Sequence, residues 1–360
     1  MLGSKEYPFH SGEGFEKKPS GGIEVHVEKL SKYLARSGHD VFIITRRFPG
    51  QRSHEKIGRI RVIRVPFLNN ALLRTFTFNA LAFLNALGLT RKERIDVVHC
   101  HGQVAGFFGF FFSKLVGKPM VYTPHGIAYS WPGPIRLTLG AFDRFALKGA
   151  RKALFISPRE KAALSKHARR WALLSNGIDF DDYKEAGTGG DGARFIFIGR
   201  LVKEKGIPIM LEAFARLQKD EPKAELVIAG DGPLRKEVQS FMVANPRLNI
   251  RFLGWRRDVP ALLSSADAFV LPSQERGQPI ALLEAMAAGK AALTSLPYID
   301  DGKTGLSFRA MSVDGLCKKM LYVCRNRFEC ATLGAAARES VRQLSWEVVV
   351  KSFISEYQAL

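Results

Sequence analysis

Pro272-Ser273-Gln274-Glu275-Arg276-Gly277-Gln278-Pro279-Ile280-Ala281-Leu282-Leu283-Glu284-Ala285-Met286-Ala287-Ala288-Gly289 is the most informative stretch of the 360-residue chain. The apolar run 266–271 before it reads as a buried strand, and its second half is rich in strong helix formers. A short polar loop with Gly277 joins the two, Pro279 stands near the helix start, and Leu282, Leu283 and Met286 share one helical face. A helix N-terminus presents unpaired backbone N–H groups and the positive end of its dipole, which suits a phosphate. Glu275 and Glu284 flank that anion site. Carboxylates are badly placed beside a phosphate unless they grip hydroxyls, so the combination points to a nucleotide sugar.

Upstream, the same strand–loop–helix unit recurs. Strands are expected at 195–198, 225–229 and 250–253, ended by Gly199-Arg200-Leu201-Val202-Lys203-Glu204-Lys205-Gly206, Gly230-Asp231-Gly232-Pro233 and Gly254-Trp255. Such repetition builds a parallel sheet with helices on both faces. Arg200 and Lys205 follow a strand end and a glycine, where a fork-shaped guanidinium and a compact ammonium can neutralise a diphosphate. The glycine-rich segment 185–192 is the natural domain boundary.

The N-terminal half shows the same alternation. Met1-Leu2-Gly3-Ser4 reads as the tail of a clipped strand, followed by a Gly- and Lys-rich loop ending in Gly21-Gly22. A helix over 23–37 and strands at 41–45, 59–65, 95–101, 120–122 and 151–157 are expected, with helices over 69–89 and 105–116. His99, His101 and His125 then fall at the carboxyl ends of neighbouring strands, the edge at which open α/β sheets bind ligands. A histidine there can serve as a general base or polar contact, or it can cap its own loop.

Composition narrows the class. With 46% apolar residues the chain can bury two domain cores and is not disordered. Its 54 basic and 34 acidic residues give a net charge of +20, which calls for an anionic partner. The basic residues are scattered and not attached to a DNA- or RNA-binding module, so nucleic acid is not the expected partner. Cys100, Cys317, Cys324 and Cys330 form no CxxC pair and no zinc spacing, which fits ordinary packing in a reducing cytoplasm. The first residues show no charged n-region followed by an apolar h-region, so a signal peptide is not expected. The greasy stretches 75–90 and 104–115, the second with five phenylalanines, are shorter than the roughly 20 residues needed to span a bilayer. They read either as buried helices or as shallow membrane contacts supported by the basic charge.

Laid out in order, these motifs resemble the retaining glycosyltransferases of the GT-B fold, family 4 (glycosyl transferases group 1). The resemblance rests on Gly21-Gly22-Ile23, Asp96-Val97-Val98-His99, Thr123-Pro124-His125-Gly126 and Ser175-Asn176-Gly177-Ile178-Asp179. It rests further on Gly199-Arg200-Leu201 with Lys205-Gly206, Gly230-Asp231-Gly232-Pro233, Gly277 to Ala287, and Leu344-Ser345-Trp346-Glu347. It implies an α/β protein of two Rossmann-like domains facing each other across a cleft. An acceptor-side domain would span 1–186, a donor-binding domain 187–344, and a helix over 345–360 would return to the first. Arg200 and Lys205 would hold the diphosphate with Gly199, Gly277, Gln278, Pro279, Ile280 and the Gly21-Gly22 loop. Glu284 would bind the ribose, and His125 would contact the donor sugar or reacting phosphate. His125, Arg200 and Lys205 are thus the implied catalytic set. The resemblance implies a UDP- or GDP-linked sugar as donor, a glycan or lipid-linked acceptor, retention of configuration, and neither cofactor nor metal. Peripheral contact with an anionic membrane from the cytoplasmic side completes the expectation.

The sequence departs from the family pattern at three places. Glu275 stands one residue early and Arg276 occupies the position of the first acid, so a cation replaces an acceptor of sugar hydroxyls. The segment Ser295-Leu296-Pro297-Tyr298-Ile299 is contracted, and the first strand is clipped. A non-catalytic nucleotide-sugar-binding protein of the same fold is therefore the alternative reading.

Overall fold

A computed structural model describes residues 2–3, 22–68, 70, 73–126, 134–184, 190–274 and 279–360. The chain divides into two compact units, Met1–Gly177 with Trp346–Leu360, and Ile178–Ser345.

The first unit runs β1 (Leu2–Gly3), α1 (Gly22–Arg36), β2 (Val41–Arg46), β3 (His54–Ile57), β4 (Ile60–Val65), α2 (Arg74–Lys92), β5 (Val98–His101), α3 (Gln103–Val116), β6 (Met120–Thr123), α4 (Pro134–Gly149), β7 (Lys152–Phe155), α5 (Pro158–Leu164) and β8 (Trp171–Leu173). Its eight strands lie in the order β3-β4-β2-β1-β5-β6-β7-β8. All pairings are parallel except β3 with β4. The interior strands β5 and β6 are buried at every position, as expected of parallel strands covered on both faces. The two-residue strand β1 lies between β2 and β5. Topologically, the chain builds outward on one side of β1 and then crosses to the other, which puts the switch point at β1 and β5.

The second unit runs β9 (Arg194–Ile198), α6 (Ile207–Asp220), β10 (Glu225–Ala229), α7 (Arg235–Ala244), β11 (Ile250–Gly254), α8 (Val259–Ser264), β12 (Ala268–Leu271), α9 (Ile280–Ala287), β13 (Ala291–Thr294), β14 (Gly305–Ser307), α10 (Val313–Arg325) and α11 (Arg327–Val341). Its all-parallel sheet has the order β11-β10-β9-β12-β13-β14, so the switch point lies between β9 and β12. The sheet core is dry: Phe195, Phe197, Phe214, Phe269 and Leu293 are fully buried.

The chain then returns to the first unit as α12 (Trp346–Gln358). Trp346 stacks on Tyr33 of α1, with ring centroids 5.9 Å apart, and Val349, Val350 and Phe353 join Val27 and Leu30 in one buried cluster. The Trp346 indole covers Gly177 so closely that any side chain there would enter the ring.

Several boundaries differ from those expected. The second unit begins at Ile178, earlier than the glycine-rich segment, because Ile178, Phe180 and Tyr183 are buried in its core. Of that segment, 185–189 lie outside the described residues. The helix expected over 69–89 is α2, which begins at Arg74 and continues to Lys92. Strand β3 has no signal in the sequence because His-Glu-Lys-Ile is a polar edge strand, half exposed along its length. The four cysteines are free thiols. Among the described residues no helix is long and apolar enough to cross a membrane. The Phe-rich α3 buries Ala105, Gly106, Gly109 and Phe112 and exposes Phe111 and Leu115.

Candidate active site

In the second unit, three loops meet at the carboxyl ends of β9, β10 and β12, at the switch point. The loop after β9 holds Gly199 and Arg200, then a 3-10 turn over Lys203–Lys205 that ends at Gly206. Leu201 N–H donates to Asp231 O at 2.9 Å and Leu234 N–H to Leu201 O at 3.0 Å, which lashes this loop to the Gly230-Asp231-Gly232 turn. Gly206 has φ 72°, and a Cβ there would strike the Pro272 carbonyl, so only glycine lets the turn close against the β12 exit. That exit is tied down in turn. Gln274 N–H and Ser273 Oγ both donate to Glu204 O, at 2.8 and 3.2 Å, and Ser295 Oγ donates to Ser273 O at 2.8 Å. Ser295, just after Thr294, thus braces the strand end at Ser273. Arg200 is exposed and Lys205 half-buried on this framework.

Pro279 and Ile280 begin α9, whose first turn has no side-chain cap. Backbone N–H groups at such a helix start lack intrahelical acceptors and are the kind of donor that can bind an anion. Glu284, one turn along, accepts a hydrogen bond from the Tyr183 hydroxyl, whose pKa is driven up by burial and by that carboxylate. Tyr183 fixes the direction of Glu284, and nothing in the local sequence links the two.

Gly199, Arg200, Lys205, Pro279, Ile280 and Glu284 therefore all belong to the second unit. Glu275, Arg276, Gly277 and Gln278 lie outside the described residues, as does Gly21. Gly22 is the first residue of α1, and His125 follows β6 in the first unit.

The first unit gathers four imidazoles around the end of β5. His99 and His101, two apart on the strand, face the same side. His99 is saturated, with Nε2 2.8 Å from Thr123 Oγ1 and Nδ1 2.8 Å from Tyr357 Oη, and is part of the packing. His101 Nδ1 lies 2.8 Å from His125 Nε2. His26 of α1, which no local pattern singles out, joins them: its Nδ1 donates to Asn176 Oδ1 at 2.8 Å, and its ring is 4.9 Å from that of His125. Burial lowers the pKa of His26 to about 4 and holds His99 and His101 well below the ordinary range. These rings are neutral at physiological pH, so they act as hydrogen-bond groups and not as cations.

His125 itself has φ 56°, a left-handed conformation that costs free energy in a non-glycine residue. The turn is held by Glu160, whose buried carboxylate accepts from Ile156 N–H at 3.1 Å and from Gly126 N–H. Desolvation raises the Glu160 pKa to about 7.

Two units of this kind, each with its ligand edge at a switch point, define an α/β architecture of paired Rossmann-like halves. Family models match both. Residues 20–182 match Glycosyltransferase Family 4 and residues 192–326 match Glycosyl transferases group 1. The chain belongs to this glycosyltransferase family and is a GT-B-type enzyme. It is 29% identical over 229 residues to the Escherichia coli UDP-Gal:alpha-D-GlcNAc-diphosphoundecaprenol alpha-1,3-galactosyltransferase, a match covering 58% of this chain and 59% of that one. It is 27% identical to a glycogen synthase of Mycobacterium tuberculosis over 94% of this chain and 91% of that one. In fold it is similar to Anabaena HepE, whose crystal structure is a complex with UDP-glucose. The TM-score is 0.78 at 18% identity, over 96% of this chain and 98% of that one.

Proposed function

We propose that the protein transfers a sugar from a nucleoside-diphosphate donor, UDP- or GDP-linked, to a glycan or lipid-linked acceptor with retention of configuration. The observation that carries this reading is the switch-point framework of the second unit, where loops locked to one another by backbone hydrogen bonds hold Arg200 and Lys205 at the carboxyl edge of the sheet, in the same unit as the uncapped start of α9. Arg200 and Lys205 neutralise the charge that builds on the departing diphosphate, so the reaction proceeds without a metal ion. The Pro279–Ile280 helix start adds backbone donors, and Glu284, aimed by Tyr183, accepts from the ribose hydroxyls. His125, on a strained left-handed turn, contacts the donor sugar. The anomeric C–O bond to the diphosphate breaks through an oxocarbenium-like state, and the leaving oxygen takes the acceptor hydroxyl's proton as the new glycosidic bond forms on the same face.

Contact with an anionic membrane is supported by one side of the first unit. Helices α2, α3 and α4 expose Phe76, Leu84, Phe111, Leu115, Leu137 and Phe145. Lys114, Arg144 and Lys148 are exposed on the same helices. Co-sedimentation with anionic vesicles at low salt tests this part, and absence of binding removes it.

A panel of UDP-, GDP- and ADP-sugars tests the reaction. Transfer or slow hydrolysis with one of them is expected; neither with any would argue against catalysis. The order Glu275-Arg276 favours a second reading, a donor-binding protein without turnover. Calorimetric donor binding without turnover, with activity gained on Arg276→Glu, would establish that one.

A further inference from the structure

We propose that His26, His101 and His125 form a binding site for a borderline divalent transition-metal ion, zinc above all, separate from the chemistry assigned to Arg200 and Lys205. One ring nitrogen of each histidine lies within 4.8 Å of one of each other, and His26 and His101 are buried while His125 is part-exposed. In a tetrahedral zinc site ligand nitrogens sit about 3.4 Å apart, given Zn–N bonds of about 2.0–2.1 Å. Ring rotations that rearrange the 2.8 Å His101 Nδ1–His125 Nε2 contact would bring the three to that spacing.

The hydrogen bonds decide which nitrogens are available. Asn176 Oδ1 can only accept, so His26 Nδ1 carries the proton and His26 Nε2 presents a bare lone pair. That Nε2 is buried and has no hydrogen-bond partner, and the same holds for His101 Nε2. A buried polar atom left unpaired carries its desolvation penalty uncompensated, and two at one place ask for a ligand. The arrangement at His26 is also that of a metal-bound imidazole, with the far ring nitrogen donating to a fixed oxygen that sets tautomer and orientation. Burial keeps both rings neutral, the state that coordinates a metal. Trp346 and Phe353 pack on His26, with ring centroids 5.6 and 5.7 Å away, and make the shell apolar. The ion enters from the side of His125 and keeps a fourth position for solvent. Three neutral nitrogens select zinc, cobalt or nickel over magnesium and calcium, which prefer oxygen. Occupancy engages His125, so the ion acts as a brake on whatever that residue does and not as a cofactor.

The test uses the full chain without substrate, so its failure and the failure of the glycosyl-transfer reading are distinguishable. Titration with zinc chloride should show one ion per chain, unaffected by excess magnesium, with cobalt(II) giving the intense visible bands of a tetrahedral site. In the unmodified protein, zinc should shift the ring-nitrogen resonances of His26 and His101. His26→Gln and His101→Gln should each weaken binding at least tenfold, whereas His39→Asn with His54→Asn, both on the surface, should leave it unchanged. No zinc binding, binding that survives His26→Gln and His101→Gln, or ring-nitrogen resonances that do not move would overturn the site. The resonance readout stands even if a variant fails to fold.

Discussion

Acidification should unfold the first unit through its buried histidines, and His26 lets the size of the effect be worked out. Its ring is fully buried, and burial moves its pKa from 6.5 down to about 4 in the folded chain. Between those values the unfolded chain holds a proton on this ring that the folded chain does not. Stability therefore rises with pH across that window and is lost as pH falls through it. Each pKa unit is worth about 1.4 kcal/mol, so acidification from pH 7 to about pH 4 should remove on the order of 3 kcal/mol through His26 alone. That is a large share of a typical domain stability of about 5–15 kcal/mol. His99 and His101 are shifted in the same direction and steepen the loss. Urea unfolding at a series of pH values, followed through the fluorescence of Trp346 packed on His26, measures it. Carboxylates also begin to titrate near pH 4, so the decisive comparison is with His26→Gln. The variant should start less stable at pH 7, having lost its bond to Asn176, and should lose stability less steeply. Parallel curves for the two proteins would refute the reasoning, because His26 would then not be held neutral by burial.

Glu160 should behave in the opposite sense. Its folded pKa is raised to about 7, so the folded chain binds the extra proton and stability falls as pH rises from about 4.5 to 7; Glu160→Gln should flatten that slope in the same unfolding series. Arg200→Ala and Lys205→Ala should each reduce turnover at least tenfold, about 1.4 kcal/mol or more of transition-state stabilisation, in an initial-rate assay with the active donor. Unchanged rates in both would remove the diphosphate assignment. Gly177→Ala places a methyl group inside the Trp346 indole and should cost about 1–3 kcal/mol. Thermal melting of Gly177→Ala with and without Trp346→Leu checks this, since the smaller ring-free side chain should recover part of the loss. Phe111→Ser with Phe145→Ser should reduce vesicle binding with only a modest fall in melting temperature, because both rings are about half exposed and half packed on Phe107 and Phe110.

The repeated α/β alternation of the two halves was legible because it is local. An apolar run of four to six residues, a glycine loop and an amphipathic helix announce themselves within about 30 residues, and the order of the units follows from their repetition. The same locality made Arg200, Lys205 and Glu284 candidates, since each follows a strand end or lies in the first turns of a helix. What depends on distant residues was not legible. The polar edge strand β3 forms only because β4 offers it partners. The second unit reaches back to Ile178 because its core needs Ile178, Phe180 and Tyr183, which the glycine-rich segment masks in the sequence. Tyr183 meets Glu284 only through the fold. His26 stands alone in its helix; folding brings it to His101, His125 and Asn176, whose positions span some 150 residues of chain. Local propensity records what the backbone does over a few turns, whereas burial and unpaired lone pairs exist only once tertiary packing has excluded water from the site.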